Sequence, residues 1–278
     1  MTQLQEKFLD LDGRQIAYVA TGPDPSIVLL HGIPTSRHLW RDVLGPLSEA
    51  GLNCVAPDLL GYGDSSKPES ADLGIASQAR IIEGLLQQLS WNGGVVVGHD
   101  IGGGVAQLLA LNCPQYVRGL VLVDSIAYDS FPEPGIARLK DPVWDEILGA
   151  EGFDLRKGLA KGLRSGMAQQ EKVTPELVAE YERPFQGVTG RQAYLRAARA
   201  LRTEELSTRA WEIERLQMPT LLVWGAHDTF QPLPYGQRLA KAMPNAELEV
   251  IEEAGHFLPE DTPDRLAQLI IRFVKTRL

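Results

Sequence analysis

Short β-branched runs alternate with longer amphipathic ones along most of the chain, and this alternation restricts the possible folds more than any other feature. Strand, amphipathic helix and strand form the unit from which parallel sheets with crossover helices are built. The pattern predicts an α/β chain with eight strands, at 7–11, 15–20, 27–30, 53–56, 94–97, 119–123, 220–224 and 247–251. Asp12-Gly13 lies between the first two runs and supplies the turn geometry of an antiparallel hairpin. The sheet is therefore expected to be mostly parallel with an antiparallel start. Helices are expected at 36–49, 75–89, 101–112, 234–242 and 263–277, each separating two strands or closing the chain.

The alternation stops between residues 128 and 214. Strand signals vanish there, and Ala, Leu, Arg, Gln and Glu dominate with helical periodicity. This stretch opens near Phe131-Pro132-Glu133-Pro134, and the sheet pattern returns at Met218-Pro219. The reading is a core of residues 1–127 and 215–278 with a helical cap, 128–214, inserted after the sixth strand. An insert at that point can cover the C-terminal edge of the sheet, where open α/β folds bind ligands.

With 278 residues the chain is long enough to bury a large core. Its 27 Lys and Arg against 36 Asp and Glu leave a net charge of −9, a field that repels nucleic acid phosphates and anionic lipid. No apolar run approaches the roughly 20 residues that span a bilayer. Residues 1–12 are polar and lack the basic start and apolar run of a signal peptide. Cys54 and Cys113 show no metal-type spacing. These features predict a cytoplasmic monomer or homodimer acting on a small molecule, with no nucleic acid, membrane or metal partner.

Four loops carry the chemistry. Val95-Val-Val-Gly98-His-Asp100-Ile-Gly102-Gly103-Gly104 reads as a strand, a tight turn and a helix. Glycine two residues either side of Asp100 suits a strained elbow in which strand and helix backbones approach closely. The helix beginning at Ile101 directs its positive end at the Asp100 carboxylate. The bland alternative is a glycine-rich turn in which Asp100 caps a helix. The segment Leu29-Leu-His31-Gly-Ile33-Pro-Thr-Ser36 follows the third strand and can turn toward the elbow. Trp224-Gly-Ala-His-Asp228 follows the seventh strand, and Ala254-Gly-His256-Phe-Leu258 the eighth. The chain order is then nucleophile, acid, histidine, with Asp228 orienting His256 as general base. Taken singly, Asp228 reads equally as a turn carboxylate and His256 as a surface histidine. His31, His38 and His99 read as structural.

On these motifs, together with Pro57-Asp-Leu-Leu-Gly61-Tyr-Gly63-Asp-Ser65, the whole chain resembles the α/β-hydrolase superfamily. Within it the resemblance is to the branch with an aspartate nucleophile, which includes haloalkane dehalogenases, fluoroacetate dehalogenases and epoxide hydrolases. It implies an α/β-hydrolase fold, amides of Ile33 and Ile101 lining the oxyanion or leaving-group side, and no cofactor. Haloalkane dehalogenases usually carry Trp after the nucleophile and Asn after the His-Gly pair. Fluoroacetate dehalogenases carry Arg after the nucleophile. This chain has Ile at both positions. Epoxide hydrolases use cap tyrosines as electrophiles, and Tyr194, Tyr181 and Tyr128 lie in or beside the insert. Each is equally a packing residue. Arg191, Arg196, Arg199 and Arg202 are expected to form a solvated face, and Trp144 and Trp211 to pack in the core or line the slot.

A carboxylate attacking saturated carbon forms an alkyl-enzyme ester, which water activated by His256 can hydrolyse. Attack on a carboxylic ester would instead produce an anhydride, so ester cleavage ranks second. The expectation is a hydrolase opening small apolar epoxides. The rivals are a dehalogenase with halide donors from the cap, a serine-type ester hydrolase elbow whose serine has been replaced, and a non-catalytic binding protein on the same scaffold.

Overall fold

Asp12 and Gly13 both adopt positive φ, 54° and 78°, the backbone state a two-residue hairpin turn requires. Leu11 pairs with Arg14 across that turn, as expected from the sequence. The structure, a computed structural model, describes residues 5–278. Residues 1–4, part of the polar N-terminal segment read above as no signal peptide, lie outside the described residues.

The strands are β1 (Gln5–Leu11), β2 (Arg14–Ala20), β3 (Ile27–Leu30), β4 (Cys54–Pro57), β5 (Gly94–His99), β6 (Val117–Val123), β7 (Thr220–Gly225) and β8 (Ala246–Ile251). They form one sheet in the order β1-β2-β4-β3-β5-β6-β7-β8. β2 runs antiparallel to β1 and β4, and all other neighbours are parallel. The central strands are buried on both faces, as a covered parallel sheet demands. Alternate residues serve opposite cores. Val28, Leu30, Val96, Leu120 and Leu122 pack beneath α2 (Ile75–Gln88) and α3 (Ile101–Asn112). Ile27, Leu29, Val95, Val97, Val121 and Val123 pack against α1 (Arg41–Glu49) and the C-terminal helix Pro263–Arg277.

The helix expected over 36–49 is two elements. Ser36 accepts the His38 N–H and starts a single 3₁₀ turn, Arg37–Trp40, before α1 begins. Leu39 and Trp40 are buried in that turn, so the apolar spacing runs through the break without marking it.

Between β6 and β7 the chain is helical: α4 (Pro134–Ala137), α5 (Val143–Gly149), α6 (Leu155–Gly166), α7 (Pro175–Glu182), α8 (Gly187–Arg199), α9 (Glu204–Ser207) and α10 (Ala210–Ile213), with short 3₁₀ turns. After β7 come α11 (Leu233–Ala242), then, beyond β8, α12 (Leu258–Asp261) and α13 (Pro263–Arg277). The stretch after α6 is fastened to α12: Asp261 accepts the N–H groups of Ala168 and Gln169, and the Gly166 carbonyl accepts the His256 N–H at 2.6 Å. This places α6 over the C-terminal ends of β5, β7 and β8.

Candidate active site

The elbow owes its shape to missing side chains. A Cβ on Gly98 would stand 2.3 Å from the Gly102 carbonyl oxygen, and one on Gly102 2.3 Å from that of Leu30. With both absent, β5 runs straight into α3 and Asp100 is forced to φ 52°, ψ −119°. A non-glycine residue held there stores backbone strain, a feature concentrated at functional sites. The turn presents the Asp100 carboxylate at the sheet edge.

One carboxylate oxygen, Oδ1, accepts the Ile33 N–H at 2.9 Å. The other, Oδ2, faces His256 Nε2 at 3.7 Å. His256 Nδ1 lies 3.0 Å from Asp228 Oδ2, and Asp228 Oδ1 accepts the N–H groups of Phe230 and Gln231 at 2.7 and 2.8 Å. A carboxylate on Nδ1 selects the tautomer with Nδ1–H. The lone pair of Nε2 is thereby directed toward Asp100. The gap of 3.7 Å exceeds a hydrogen bond, so His256 does not quench the carboxylate.

Burial raises the Asp100 carboxyl above its usual range, against the opposing charge of His256 and the amides of Ile101 and Ile33. For His256, burial alone would lower the imidazole, but Asp228 and Asp100 outweigh it and the net direction is upward. Burial holds His99 well below the ordinary histidine value and lowers His31. His99 uses Nε2–H to hold the His256 carbonyl at 2.8 Å. His31 spans its loop, with Nδ1 on the Gly32 carbonyl and Nε2 accepting the Leu59 N–H.

A cavity of about 490 Å³ opens over this group. Asp100, His256, Ile33, Ile101 and Tyr194 all line it, together with Trp144, Leu163, Leu201, Phe230 and Phe257. Asp228 stands behind His256, away from the cavity surface. The walls are largely apolar, with Tyr194 half-buried and burial pushing its hydroxyl up to about 12. Three residues of this set, Leu163, Phe230 and Phe257, were not singled out as site residues by the sequence. Phe230 packs its ring edge-on to His256 at 5.2 Å, and its place two residues beyond Asp228 was the available signal.

Two of the three cap tyrosines are elsewhere. The Tyr181 hydroxyl is buried and donates to Glu260, which Arg41 also grips with two bonds of 2.7 Å. The Tyr128 hydroxyl donates to Glu214 at 3.0 Å, with the Arg238 guanidinium 3.5 Å over its ring. Neither lines the cavity, so Tyr181 and Tyr128 are corrected from electrophile candidates to packing residues. The arginine face is corrected in part. Arg191 is buried and donates to the carbonyls of Leu148 and Ala150 at the end of α5, Arg196 reaches the Lys67 carbonyl, and Arg199 and Arg202 pair with Asp145 and Asp72. Trp144 lines the cavity, whereas Trp211 is exposed.

Comparison with known proteins agrees with this fold. The family model for the alpha/beta hydrolase fold matches residues 25–263. Haloalkane dehalogenase 2 of Mycobacterium tuberculosis is 32% identical over 284 residues, covering 96% of this chain and 94% of that protein. The AB hydrolase superfamily protein YfhM of Bacillus subtilis is 28% identical over 98% of both. Among solved structures, the epoxide hydrolase CorEH without ligand superposes with a TM-score of 0.81 at 27% identity, covering 98% of each chain. An alpha/beta hydrolase fold protein from Burkholderia ambifaria reaches a TM-score of 0.88 at 24% identity, over 96% of this chain and 97% of that one.

Proposed function

The chain belongs to the alpha/beta hydrolase fold family, and from that premise we propose that it is a cofactor-independent hydrolase that opens small, mostly apolar epoxides through an ester on Asp100. The observation that carries the reading is the division of labour around one carboxylate. Asp100 Oδ1 is held by the Ile33 amide, and Oδ2 faces both the cavity and His256. In the first step Oδ2 attacks an epoxide carbon, the ring carbon–oxygen bond breaks, and its electron pair passes to the departing oxygen. The Tyr194 hydroxyl is the donor for that oxygen. With its proton held to about pH 12, it stays protonated at neutral pH yet is acidic enough to hand a proton to an alkoxide. In the second step His256 takes a proton from water, the hydroxide adds to the Asp100 carboxyl carbon, and the ester C–O bond breaks with the imidazolium returning its proton to the departing alkoxide, which releases the diol, while the proton left on the re-formed Asp100 carboxyl passes to the Tyr194 phenolate. The Ile33 and Ile101 amides hold the oxyanion that forms in between. Asp228 stabilises the imidazolium.

Carbon–halogen cleavage is the second reading, favoured by Trp144 on the cavity wall and by the 32% relative named as a haloalkane dehalogenase. Epoxides rank first because Ile33 and Ile101 bring no side-chain N–H to a leaving halide. The test is a panel of small epoxides and haloalkanes, each run for a single turnover in heavy-oxygen water. Label in the Asp100 side chain supports the ester route. Label entering product directly, with none in the protein, overturns it.

A further inference from the structure

A second carboxyl group stands behind the acid of the site. Asp124 follows β6, is fully buried and holds a positive φ of 41°. Its Oδ1 accepts the Gly225 N–H at 2.8 Å. Its Oδ2 is buried with no hydrogen-bond partner among the described residues, although a buried polar atom is almost always paired. Asp124 and Asp228 flank Gly225, whose N–H donates to Asp124 Oδ1 and whose carbonyl accepts the Asp228 N–H at 3.2 Å, and the charge of Asp228 bears directly on the Asp124 carboxyl. The charged groups that bear on it are Asp228 and, more weakly, Asp261, both acids.

Two neighbouring carboxylates in a dry site cannot both ionise without severe cost, so one keeps a proton. Which one follows from their partners. Asp228 accepts two amides and the His256 imidazole, all of which favour its anion, whereas Asp124 accepts one amide. A proton on Oδ2 of Asp124 turns the unpartnered atom into a donor and removes the repulsion. We propose that Asp124 is a protonated positioning residue that donates Oδ2–H to Asp228, extending the line of Asp228 and His256 by one member and fixing the acid against the imidazole. Burial first, then the Asp228 charge, pushes the Asp124 carboxyl well above the usual carboxylate range, in the same direction.

The kinetic consequence rests on the role proposed above for His256, but the protonation state does not. It is read from the infrared difference spectrum between the full wild-type chain and Asp124→Asn at neutral pH. A carbonyl band of a protonated carboxylic acid, present in wild type and missing in the variant, is expected; its absence from the difference overturns the proposal whatever the substrate proves to be. Asparagine is the neutral, donor-bearing isostere and tolerates positive φ, so Asp124→Asn should hydrolyse the ester intermediate within about threefold of wild type. Asp124→Gly also tolerates the backbone but lacks the donor. Losing a hydrogen bond to a charged group should slow its hydrolytic step about tenfold or more, with ester formation within about threefold. An Asn variant as slow as the Gly variant, or a Gly variant as fast as wild type, would reject the donor role. Should Asp124→Gly fail to fold, the infrared band and the Asn rate decide.

Discussion

Replacing each of two tyrosines by phenylalanine should separate stability from catalysis. Tyr181 and Tyr194 both come from the helical segment between β6 and β7, and they differ in what the hydroxyl meets. That of Tyr181 donates to Glu260, a buried carboxylate that keeps two 2.7 Å bonds from Arg41 when the tyrosine is truncated. Glu260 is therefore not left unpaired, and the loss is that of one hydrogen bond to a charged group, about 2 kcal/mol. At about 2–4 °C per kcal/mol for a chain of this size, Tyr181→Phe should lower the melting temperature by about 4–8 °C. Its epoxide opening, measured well below that transition, should be unchanged. Tyr194 lines the cavity, and with its hydroxyl turned toward it, as proposed above, Tyr194→Phe should keep stability within about 0.5 kcal/mol. It should slow single-turnover epoxide opening about a hundredfold, as expected for a lost oxyanion donor, and spare alkylation by a haloalkane. Calorimetry on both variants, beside stopped single turnovers, gives the four numbers. A Tyr181→Phe protein with unchanged melting temperature and no epoxide opening would refute the assignment of that hydroxyl to Glu260. A Tyr194→Phe protein as fast as wild type would remove Tyr194 as electrophile.

His256→Gln should still be alkylated but should stall before hydrolysis, so mass spectrometry should find a substrate adduct on Asp100; a variant inactive on turned-over substrates yet free of adduct would move His256 to the first step. Asp228 and Asp100 raise the His256 pKa in the free enzyme against the opposing effect of burial; in the ester intermediate Asp100 carries no charge, so hydrolysis, which needs neutral His256, should rise with pH through an inflection below that at which His256 titrates in the free enzyme. Asp228→Asn should lower that inflection, and an unchanged profile would detach Asp228 from the imidazole. Hydrogen bonding to Arg183 lowers Asp64 from 3.8 to about 2. The stability this pair contributes is present above pH 3.8 and lost as pH falls toward 2. Asp64→Asn should therefore reduce the acid dependence of unfolding in that window and cost about 1 kcal/mol at pH 7, discounted for partial exposure; an acid limb identical to wild type would show that the pair is not coupled to folding.

The sheet was readable because its information is local. β3, β5 and β6 are short apolar runs whose residues alternate between two cores, and Asp12-Gly13 specifies a turn by itself. The helix start at Arg41 was not readable, since Leu39, Trp40, Val43, Leu44 and Leu47 are all buried across a change from 3₁₀ to α, and apolar spacing does not register that change. The juxtaposition of Asp100, Asp228 and His256 was also legible. Each follows the C-terminal end of a strand, and parallel order gathers those ends along one edge however long the intervening insert.

Helical segments of the insert have no such constraint. Periodicity places Tyr194 on an inward face, but whether a tyrosine hydroxyl of this segment meets a cavity or, like that of Tyr181, the carboxylate of Glu260, 79 positions away, depends on a docking that no local pattern records. Arg191 illustrates the same limit. Its charge suggested solvent, yet the guanidinium is buried because the carbonyls at the end of α5 need donors. Asp124 lies between these extremes. The parallel register that sets Val123 beside Val223 also brings the Asp124 N–H to the Val223 carbonyl and its carboxyl to the Gly225 amide. Register therefore fixes the Asp124 carboxyl beside Gly225, whereas the position of Asp228, three residues past the end of β7, is set by the loop that also carries it to His256.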